Sequence, residues 1–497
     1  MRLDHRYDVA VIGAGPAGLA AATELAILGI PVVVIDEQTT PGGQIYRAIT
    51  STPLAGDSQR AILGDDYWHG ASLVSAFRHS GAHYAPRTMV WAVTRQDDGF
   101  ELALSTAGTA RLVRARHVIL ATGAMERPFP IPGWTLPGVM TAGAAQILLK
   151  TSGLAPTGTT VLAGSGPLLY LIAAQFAAAG VRIECLLDTT PRGRLAQSLP
   201  LAWEFAGSPY FAKGRALLSR ARRSTVIHRY VDRLQAEGDD KLERVRYRID
   251  GRSGDARGAS GTSGSSGTRS SSGEIIADHL LLHQGVVPGI NLSNAIGCAQ
   301  HWDAGQLCFT PSVDAWGASS VSGVSITGDA AGIGGARAAE ARGALSALHA
   351  AFAIGAMSAQ RRDSMAERPR AELARWMQGR RFVDAMYRPA DRFRIPRGDT
   401  IVCRCEEVTA AQVAETVKLG CVGPNQMKSF LRCGMGPCQG RLCGLTVTEL
   451  IAAGRNVTPA ETGYYRLRFP IKPITLGELA SLPQTDDSVD AVVRIKR

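Results

Sequence analysis

The sequence of 497 residues lacks both patterns that would place it in or across a membrane. Residues Met1 to Tyr7 pass into a strand-like segment without the apolar core of a signal peptide. The one long stretch without charge, residues 151–181, is interrupted by proline, glycine and glutamine. That pattern favours a strand, a glycine turn and a buried helix over a membrane span. We therefore expect a soluble, cytoplasmic protein without a transmembrane segment.

A nucleic-acid-binding module is also missing. The formal net charge is +11, but the arginines are spread widely, and no basic region or aromatic-interleaved motif is present. Hydrophobic residues make up 45% of the chain and charged residues 20%, as in ordinary globular proteins. We expect two to four domains and no nucleic-acid partner.

Redox disulfide motifs are absent from the first 400 residues. Cys185, Cys298 and Cys308 stand there in isolation, with neither a Cys-x4-Cys nor a Cys-x2-Cys pair. This argues against a disulfide reductase, and we expect the three to be buried small hydrophobic residues. No His/Asp or Lys constellation stands out as a substrate site, so the sequence assigns no catalytic residue.

What is present begins with a nucleotide-binding motif. Val9 to Ile12 reads as a short buried strand that leads through a GxGxxG turn into a helix. The motif residues are Gly13, Gly15, Pro16, Ala17 and Gly18. The glycines permit a tight turn, approach of a pyrophosphate, and close packing of helix on strand. A second apolar run ends in Asp36 and Glu37, where a carboxylate should hold a ribose hydroxyl.

Further segments favour FAD over NAD as the dinucleotide. They resemble signatures of flavoproteins with two dinucleotide-binding domains: a flavin-contacting loop with Gly43 and Gln44, the strand end Ala121, Thr122 and Gly123, and Gly328 with Asp329. In that superfamily the Gly-Asp carboxylate bonds the ribityl chain, and the backbone near Val90 would hold the adenine. Because these sites must converge on one cofactor, we expect the first 350 or so residues to form one discontinuous design.

A second nucleotide-like unit follows. Gly164 and Gly166 match the first two glycines of the motif, and a strand ends at Asp188, but Leu169 stands where the third glycine belongs. Leucine at the helix–strand contact puts tight binding of NAD in doubt. Binding of a second nucleotide (NAD(P), ATP or a flavin) and a domain kept only for its fold both stay open.

Six of the nine cysteines lie between positions 403 and 443. A [2Fe–2S] centre needs four thiolates, and a Cys-x-Cys pair with a second close pair suits it. We expect the ligands to be Cys403, Cys405, Cys438 and Cys443, with Cys421 and Cys433 as bystanders and Cys433 as the alternative ligand. Four thiolates also suit structural zinc, although zinc sites usually use Cys-x2-Cys pairs.

The sequence therefore predicts an α/β fold with two dinucleotide-binding, Rossmann-like domains of the pyridine-nucleotide-disulfide-oxidoreductase type and a small C-terminal [2Fe–2S] domain of the BFD-like type. The boundaries are 1–135 with 285–355 for the FAD-binding domain, 136–284 for the second domain with a disordered Gly/Ser loop at 251–273, 356–398 for a basic helical linker, 399–455 for the cluster domain, and 456–497 for a tail. For the linker, a solvated face and a docking surface for an acidic partner both stay open.

These motifs together resemble the FAD- and [2Fe–2S]-containing α-subunit family of heteromeric amino-acid and opine dehydrogenases. That family includes the A subunits of opine oxidases, the flavoprotein subunit of hydrogen cyanide synthase and the α subunits of dye-linked proline and hydroxyproline dehydrogenases. The most specific segments are Pro41-Gly-Gly-Gln-Ile-Tyr-Arg47 and the Cys433-Gly-Met-Gly-Pro-Cys-Gln-Gly-Arg441 region.

The resemblance implies a chain that transfers electrons within a larger complex. The substrate site would lie on a separate flavoprotein β subunit, which would oxidise the C–N bond of an amino acid, imino acid or opine. FAD and the cluster would pass the electrons to a respiratory acceptor, which leaves open both peripheral association with the inner membrane and a small ferredoxin-like subunit. The alternatives are a self-contained NAD(P)H-dependent flavin oxidoreductase and a non-enzymatic iron–sulfur redox sensor.

Overall fold

The computed structural model describes residues 3–57, 59–251 and 271–483. The strands are β1 Arg6–Ile12, β2 Val32–Ile35, β3 His83–Ala85, β4 Thr88–Gln96, β5 Gly99–Thr106, β6 Thr109–Leu120, β7 Ala124–Glu126, β8 Val139–Thr141, β9 Thr160–Gly164, β10 Ile183–Asp188, β11 Val226–Arg229, β12 Val231–Glu237, β13 Arg244–Ile249, β14 Ser271–Ile276, β15 His279–His283, β16 Val286–Pro288, β17 Gln300–Asp303, β18 Cys308–Pro311, β19 Val324–Ile326, β20 Ile401–Cys403 and β21 Val408–Thr409.

The helices alternate with these strands through most of the chain. They are α1 Pro16–Ile27, α2 Arg60–Leu63, α3 Asp65–His79, α4 Ala142–Ser152, α5 Pro167–Ala178, α6 Arg194–Ser198, α7 Ala202–Ala206, α8 Pro209–Ser224, α9 Asn291–Ile296, α10 Ala336–Ala353, α11 Ala359–Met365, α12 Glu367–Met377, α13 Arg380–Met386, α14 Asp391–Arg394, α15 Ala410–Lys418, α16 Pro424–Leu431, α17 Gly444–Arg455, α18 Pro459–Thr462 and α19 Leu476–Ala480. In the described part of the chain, none of them combines the length and the apolar character that crossing a bilayer requires.

The first sheet brings together strands from distant parts of the sequence. Its order is β3-β2-β1-β6-β5-β4, and β19 pairs with β6. Strands β1, β2, β3, β6 and β19 run parallel, whereas β4 and β5 join as an antiparallel meander. The carboxyl ends of parallel strands meet at one edge, where open α/β sheets bind ligands. The segments that follow β1, β6 and β19 therefore share that edge.

The second sheet has the order β11-β10-β9-β15-β8, and all of its pairings are parallel. Together the two sheets confirm the predicted α/β fold with Rossmann-like units. The domain boundaries stay predictions. Of the Gly/Ser loop expected at 251–273, residues 252–270 lie outside the described part, while Ser271, Ser272 and Gly273 belong to β14 and were wrongly included in the loop.

The segment 356–398 is not simply a solvated linker. Trp376, Phe393 and Arg394 are each less than a tenth exposed. The Tyr210 hydroxyl on α8 donates to the Trp376 carbonyl (2.9 Å), and Phe382 on α13 stacks on another aromatic ring at 4.4 Å. Helices α12 to α14 therefore include residues that pack against the second unit, and the interpretation as a purely solvated face is wrong for those residues.

Candidate functional site

The turn after β1 is built for close backbone approach. Gly13 has φ +107°, and a side chain at that position would overlap the carbonyl oxygen of Ala121. A side chain at Gly18 would overlap the Gly13 carbonyl. Helix α1 begins at Pro16 and buries Ala17. The glycines are thus required by contacts within the protein, and the turn keeps the open form that a pyrophosphate needs.

The two carboxylates after β2 have different surroundings. Asp36 is buried, and its oxygens accept the N–H groups of Ala14 (2.6 Å) and Gln38 (2.7 Å). Burial raises the pKa of Asp36, while these two hydrogen bonds lower it. Glu37 is more exposed and forms an ion pair with Lys472 from the C-terminal tail. The sequence offered both residues as ribose ligands, whereas in the structure Glu37 pairs with a lysine.

The other predicted segments meet the turn directly. A side chain at Gly43, which has φ +62°, would come within 2.7 Å of the Gly15 Cα. A side chain at Gly328, with φ +66°, would come within 2.7 Å of the Ala17 Cβ. Gln44 follows Gly43, and its Oε1 accepts a hydrogen bond from an arginine in the same loop (3.1 Å). The loop and the Gly-Asp segment therefore converge on the first turn, as the sequence predicted.

The Ala-Thr-Gly and Gly-Asp segments lie at the same carboxyl edge of the first sheet. Ala121 continues β6, the Thr122 hydroxyl donates to the Gly289 carbonyl (2.8 Å), and the Gly289 N–H donates to the Gly123 carbonyl (2.8 Å). Asp329 Oδ1 accepts the N–H groups of Gly334 (2.8 Å) and the residue after it (2.9 Å), immediately before α10. The Asp329 carboxylate is thereby fixed at the start of that helix.

Val90 lies in β4, is 4% exposed, and packs in one apolar cluster with Ile35 and Ala85. The β4–β5 register shifts between Val90 and Ala92, which marks a bulge. Such irregularities free backbone groups from the ladder. The Trp91 carbonyl at this bulge accepts the N–H of Ile471, again from the C-terminal tail.

The cysteines of the C-terminal region form two groups. The Cys403 thiol is hydrogen-bonded to the thiols of Cys433 and Cys443, and these contacts hold the pKa of Cys403 well below its ordinary value. The Cys405 and Cys438 thiols contact each other. The Cys421 thiol donates to the Gly423 carbonyl (3.4 Å), and its assignment as a bystander stays a prediction.

Backbone N–H groups also point at these sulfurs. The backbone N–H groups of Glu406 and Gly434 act to lower the pKa of Cys403, and that of Cys438 acts to lower the pKa of Cys405. Gly436 lies so close to Cys405 that a side chain there would overlap the Cys405 Cβ. Thiols with N–H donors are the donor set that an anionic iron–sulfur cluster requires. Over residues 3–57, 59–251 and 271–483, no group of three or more His, Cys, Asp or Glu side chains is arranged so that it could hold a metal ion.

Comparison with known proteins agrees with this architecture. The pyridine nucleotide-disulphide oxidoreductase family model matches residues 7–355, and the sarcosine oxidase A3 domain model matches residues 397–482. The A subunit of opine oxidase from Agrobacterium tumefaciens (strain Ach5) is 46% identical, with 99% of this chain and 94% of that protein aligned. The chain belongs to the family of opine oxidase A subunits. This membership confirms the resemblance drawn from the motifs.

One further relative of this opine oxidase family member and one solved structure extend the comparison. Hydrogen cyanide synthase subunit HcnB of Pseudomonas aeruginosa (strain PAO1) is 32% identical over 95% of this chain and 98% of that protein. L-proline dehydrogenase from P. horikoshii has the same fold, with a TM-score of 0.68, 20% identity, and 96% of this chain and 81% of that chain covered. The chain is an oxidoreductase, and its pyridine nucleotide-disulphide oxidoreductase domain implies FAD.

Sequence reasoning missed two cations beside the FAD motifs of this family member, one buried and one half-buried. Lys150 on α4 donates to the carbonyls of Gln44 (3.4 Å) and Ile45 (2.9 Å), and burial lowers its pKa to about 7. Arg342 on α10 donates to the carbonyls of Gly328 (3.2 Å) and Gly332. Each fixes the backbone of one motif. No local pattern reveals them, because their partners lie elsewhere in the sequence.

The second nucleotide-like unit differs from the first at its carboxylate. Asp188 Oδ2 accepts the Tyr170 hydroxyl (2.9 Å), and Oδ1 accepts the Thr190 N–H (2.9 Å). Leu169 is 1% exposed beneath the turn. A ribose hydroxyl would have to displace the Tyr170 phenol to reach Asp188. These contacts favour the interpretation of this unit as a structural domain.

Proposed function

We propose that this chain is the FAD- and [2Fe–2S]-containing electron-transfer subunit of a heteromeric dehydrogenase or oxidase. Its complex would oxidise the C–N bond of an amino acid, imino acid or opine and deliver the electrons to a respiratory acceptor. The substrate site would lie on a separate flavoprotein β subunit, with a small ferredoxin-like protein as a further candidate partner. The names of the relatives, which include opine oxidase and hydrogen cyanide synthase subunits, support this reaction class.

One observation carries the proposal. The Asn291 side chain donates to the carbonyl of Gln439, the residue after Cys438 (3.1 Å). Asn291 begins α9 two residues after Gly289, which is hydrogen-bonded to Gly123. The thiol-bearing loop is thus attached by short polar contacts to the edge that carries the FAD motifs. A chain that passes electrons between two redox groups needs such a fixed relation between their sites.

When bound, the flavin can exchange electrons singly or in pairs and an iron–sulfur cluster exchanges them singly, so together they would join a two-electron oxidation to a one-electron carrier. The chain's own residues would bind and orient the flavin. The open turn at Gly13 and Gly15 accepts the pyrophosphate, Asp329 is fixed at the start of α10 for the ribityl hydroxyls, and Lys150 holds the loop of Gln44.

For the cluster we propose Cys403, Cys405, Cys438 and Cys443 as ligands. Cys433 competes with Cys443, since both thiols contact Cys403. Zinc would use the same donors, so the metal must be measured.

The test is anaerobic purification of the chain co-expressed with its genomic neighbours. We expect flavin absorbance, iron with acid-labile sulfide, an EPR signal after dithionite, and dye reduction with an opine, proline, hydroxyproline or glycine. Cys405→Ser should lose iron and the EPR signal but keep the flavin, whereas the control Cys421→Ser should keep both. Comparing Cys433→Ser with Cys443→Ser identifies the fourth ligand.

Contrary results are equally specific. Zinc in place of iron would refute the cluster. Flavin-free protein would favour a redox sensor. Rapid bleaching of the flavin by NADH in the isolated chain would favour a self-contained NAD(P)H oxidoreductase.

A further inference from the structure

A segment after α18 contacts the FAD-motif edge of the first sheet. We define residues 465–474 as the C-terminal strap. Ile471 is 4% exposed and belongs to the same apolar cluster as Ile35 and Val90, and its N–H donates to the Trp91 carbonyl (2.9 Å). The strap thus covers the bulge beside Val90, the position at which the sequence predicts the adenine.

Lys472, the next residue of the strap, brings a positive charge to the same edge of the first sheet. Lys472 pairs with Glu37, which adjoins the buried Asp36. The Lys472 side chain is 26% exposed and that of Glu37 is 43% exposed. FAD carries a pyrophosphate, and an uncompensated carboxylate beside it would repel that anion. Lys472 therefore neutralises the one carboxylate of the Asp36–Glu37 pair that backbone N–H groups do not hold.

Arg441 connects the strap to the cysteine loop. Its Nη1 donates to the Cys438 carbonyl (3.1 Å), and its Nη2 donates to the Ile471 carbonyl (2.8 Å). The Arg441 guanidinium thus connects the backbone of Cys438, a proposed cluster ligand, to that of Ile471, which is hydrogen-bonded to Trp91.

We propose that the C-terminal strap is part of the FAD site, with Lys472 as an electrostatic binding residue and Arg441 as a positioning residue that holds the strap in place. The proposal rests on the proposed function only in that it takes FAD as the bound nucleotide. No local motif marks these residues, because the strap lies more than 440 residues after the glycine turn that it serves.

The test is titration of deflavinated full-length protein with FAD, followed by quenching of flavin fluorescence. For a coupling of typical size we expect Lys472→Met to weaken FAD binding at least about fivefold, and Arg441→Met to do the same. Lys472→Arg keeps the charge and should bind FAD as the unaltered protein does. The control Lys418→Met removes an exposed lysine paired with Glu415 and should have no effect.

A double variant separates electrostatics from general damage to the fold. If Lys472 acts by neutralising Glu37, then Glu37→Gln combined with Lys472→Met should restore most of the lost affinity, which structural disruption would not do. Thermal unfolding of each deflavinated variant shows whether the strap variants fold. Unchanged FAD affinity in Lys472→Met, or no restoration in the double variant, overturns the proposal. If the unaltered protein binds no FAD, it is the proposed function that fails.

Discussion

The two nucleotide-like units have similar strands and turns, but their aspartates, Asp36 and Asp188, differ in one hydrogen-bond partner. In both, a glycine turn follows a central parallel strand, and an aspartate ends the next strand and accepts an N–H two residues later. In the first unit the other oxygen of Asp36 accepts the backbone N–H of Ala14 (2.6 Å). In the second unit the corresponding N–H, that of Ser165, donates to the His283 carbonyl (2.9 Å), and Asp188 takes the Tyr170 hydroxyl instead.

The difference favours a structural role for the second unit, although this unit keeps the shape of a nucleotide-binding fold. Gly18 lets α1 approach the turn, whereas Leu169 fills the corresponding contact with an apolar side chain. Once that space is filled, the carboxylate needs a partner from within the protein, because a buried acceptor left without one is costly. Tyr170 supplies it. The same topology therefore supports cofactor binding in one unit and packing in the other.

The largest effect should come from transferring the second unit's residue to the first. In Gly18→Leu the side chain overlaps the Gly13 carbonyl, so the turn must open. Overpacking costs about 1–3 kcal/mol or more, and each 1.4 kcal/mol is tenfold in affinity. If this cost falls on the turn that binds FAD, we expect FAD affinity to fall by about 5-fold to 150-fold, measured as flavin content and by titration.

The matched control for that experiment is Gly56→Ala, because Gly56 has open space around it and an ordinary backbone conformation. Gly18→Ala provides a milder version if the leucine variant does not fold. Full flavin content in a folded Gly18→Leu protein would contradict the role assigned to the turn.

The second prediction concerns Leu169, the residue of the second unit that corresponds to Gly18. Leu169→Ala removes a side chain that is 1% exposed, and such truncations typically cost about 2–5 kcal/mol of unfolding free energy. We expect a lower midpoint in urea with unchanged flavin content. Leu199→Ala, at a leucine that is 59% exposed, should change stability by less than about 0.5 kcal/mol. Loss of flavin in Leu169→Ala would mean that the two units are not independent.

The strands and helices that could be predicted from the sequence are those that depend on short-range patterns of residues. The strand before Gly13, the helix that starts at Pro16, and the strands that end shortly before Gly123 and Asp329 all follow from apolar runs that end in glycine. Convergence of these segments could be predicted because parallel strands share one edge.

Contacts between distant side chains could not be read in this way. Glu37 looked like a ribose ligand, and only the fold shows that Lys472 pairs with it. In the sequence Tyr170 looks like an ordinary residue of an apolar helix, and only the fold shows that its hydroxyl donates to Asp188. The proximity of Cys433 to Cys403 likewise depends on how the loop before α17 folds back, which spacing alone does not determine.

The third prediction concerns Lys150, which lies on a helix next to the second sheet but holds the loop of the first unit. Burial lowers its pKa to about 7, whereas the unfolded chain titrates near 10.4. Between those values the unfolded state binds a proton that the folded state does not, so stability should rise as pH rises from about 7 to about 10. The slope should reach at most about 1.4 kcal/mol per pH unit.

Lys150→Met should remove this slope, as measured by urea unfolding at several pH values. Lys418→Met, at an exposed lysine, should leave it in place. A slope that persists in Lys150→Met would assign the titration to another group.

The smallest effect should come from Tyr170→Phe, which deletes the one hydroxyl by which the two carboxylates differ. Asp188 then loses a partner while buried, and we expect about 1–3 kcal/mol less unfolding free energy. Binding of NADH, followed by its fluorescence, should be undetectable in the unaltered protein and no better than weak in the variant, because Leu169 still fills the turn. Tight NADH binding by the unaltered protein would show that Tyr170 yields to a ribose, and the second unit would then be a nucleotide site after all. Tight binding only after the tyrosine is changed would show that this hydroxyl, and not Leu169, closes the site.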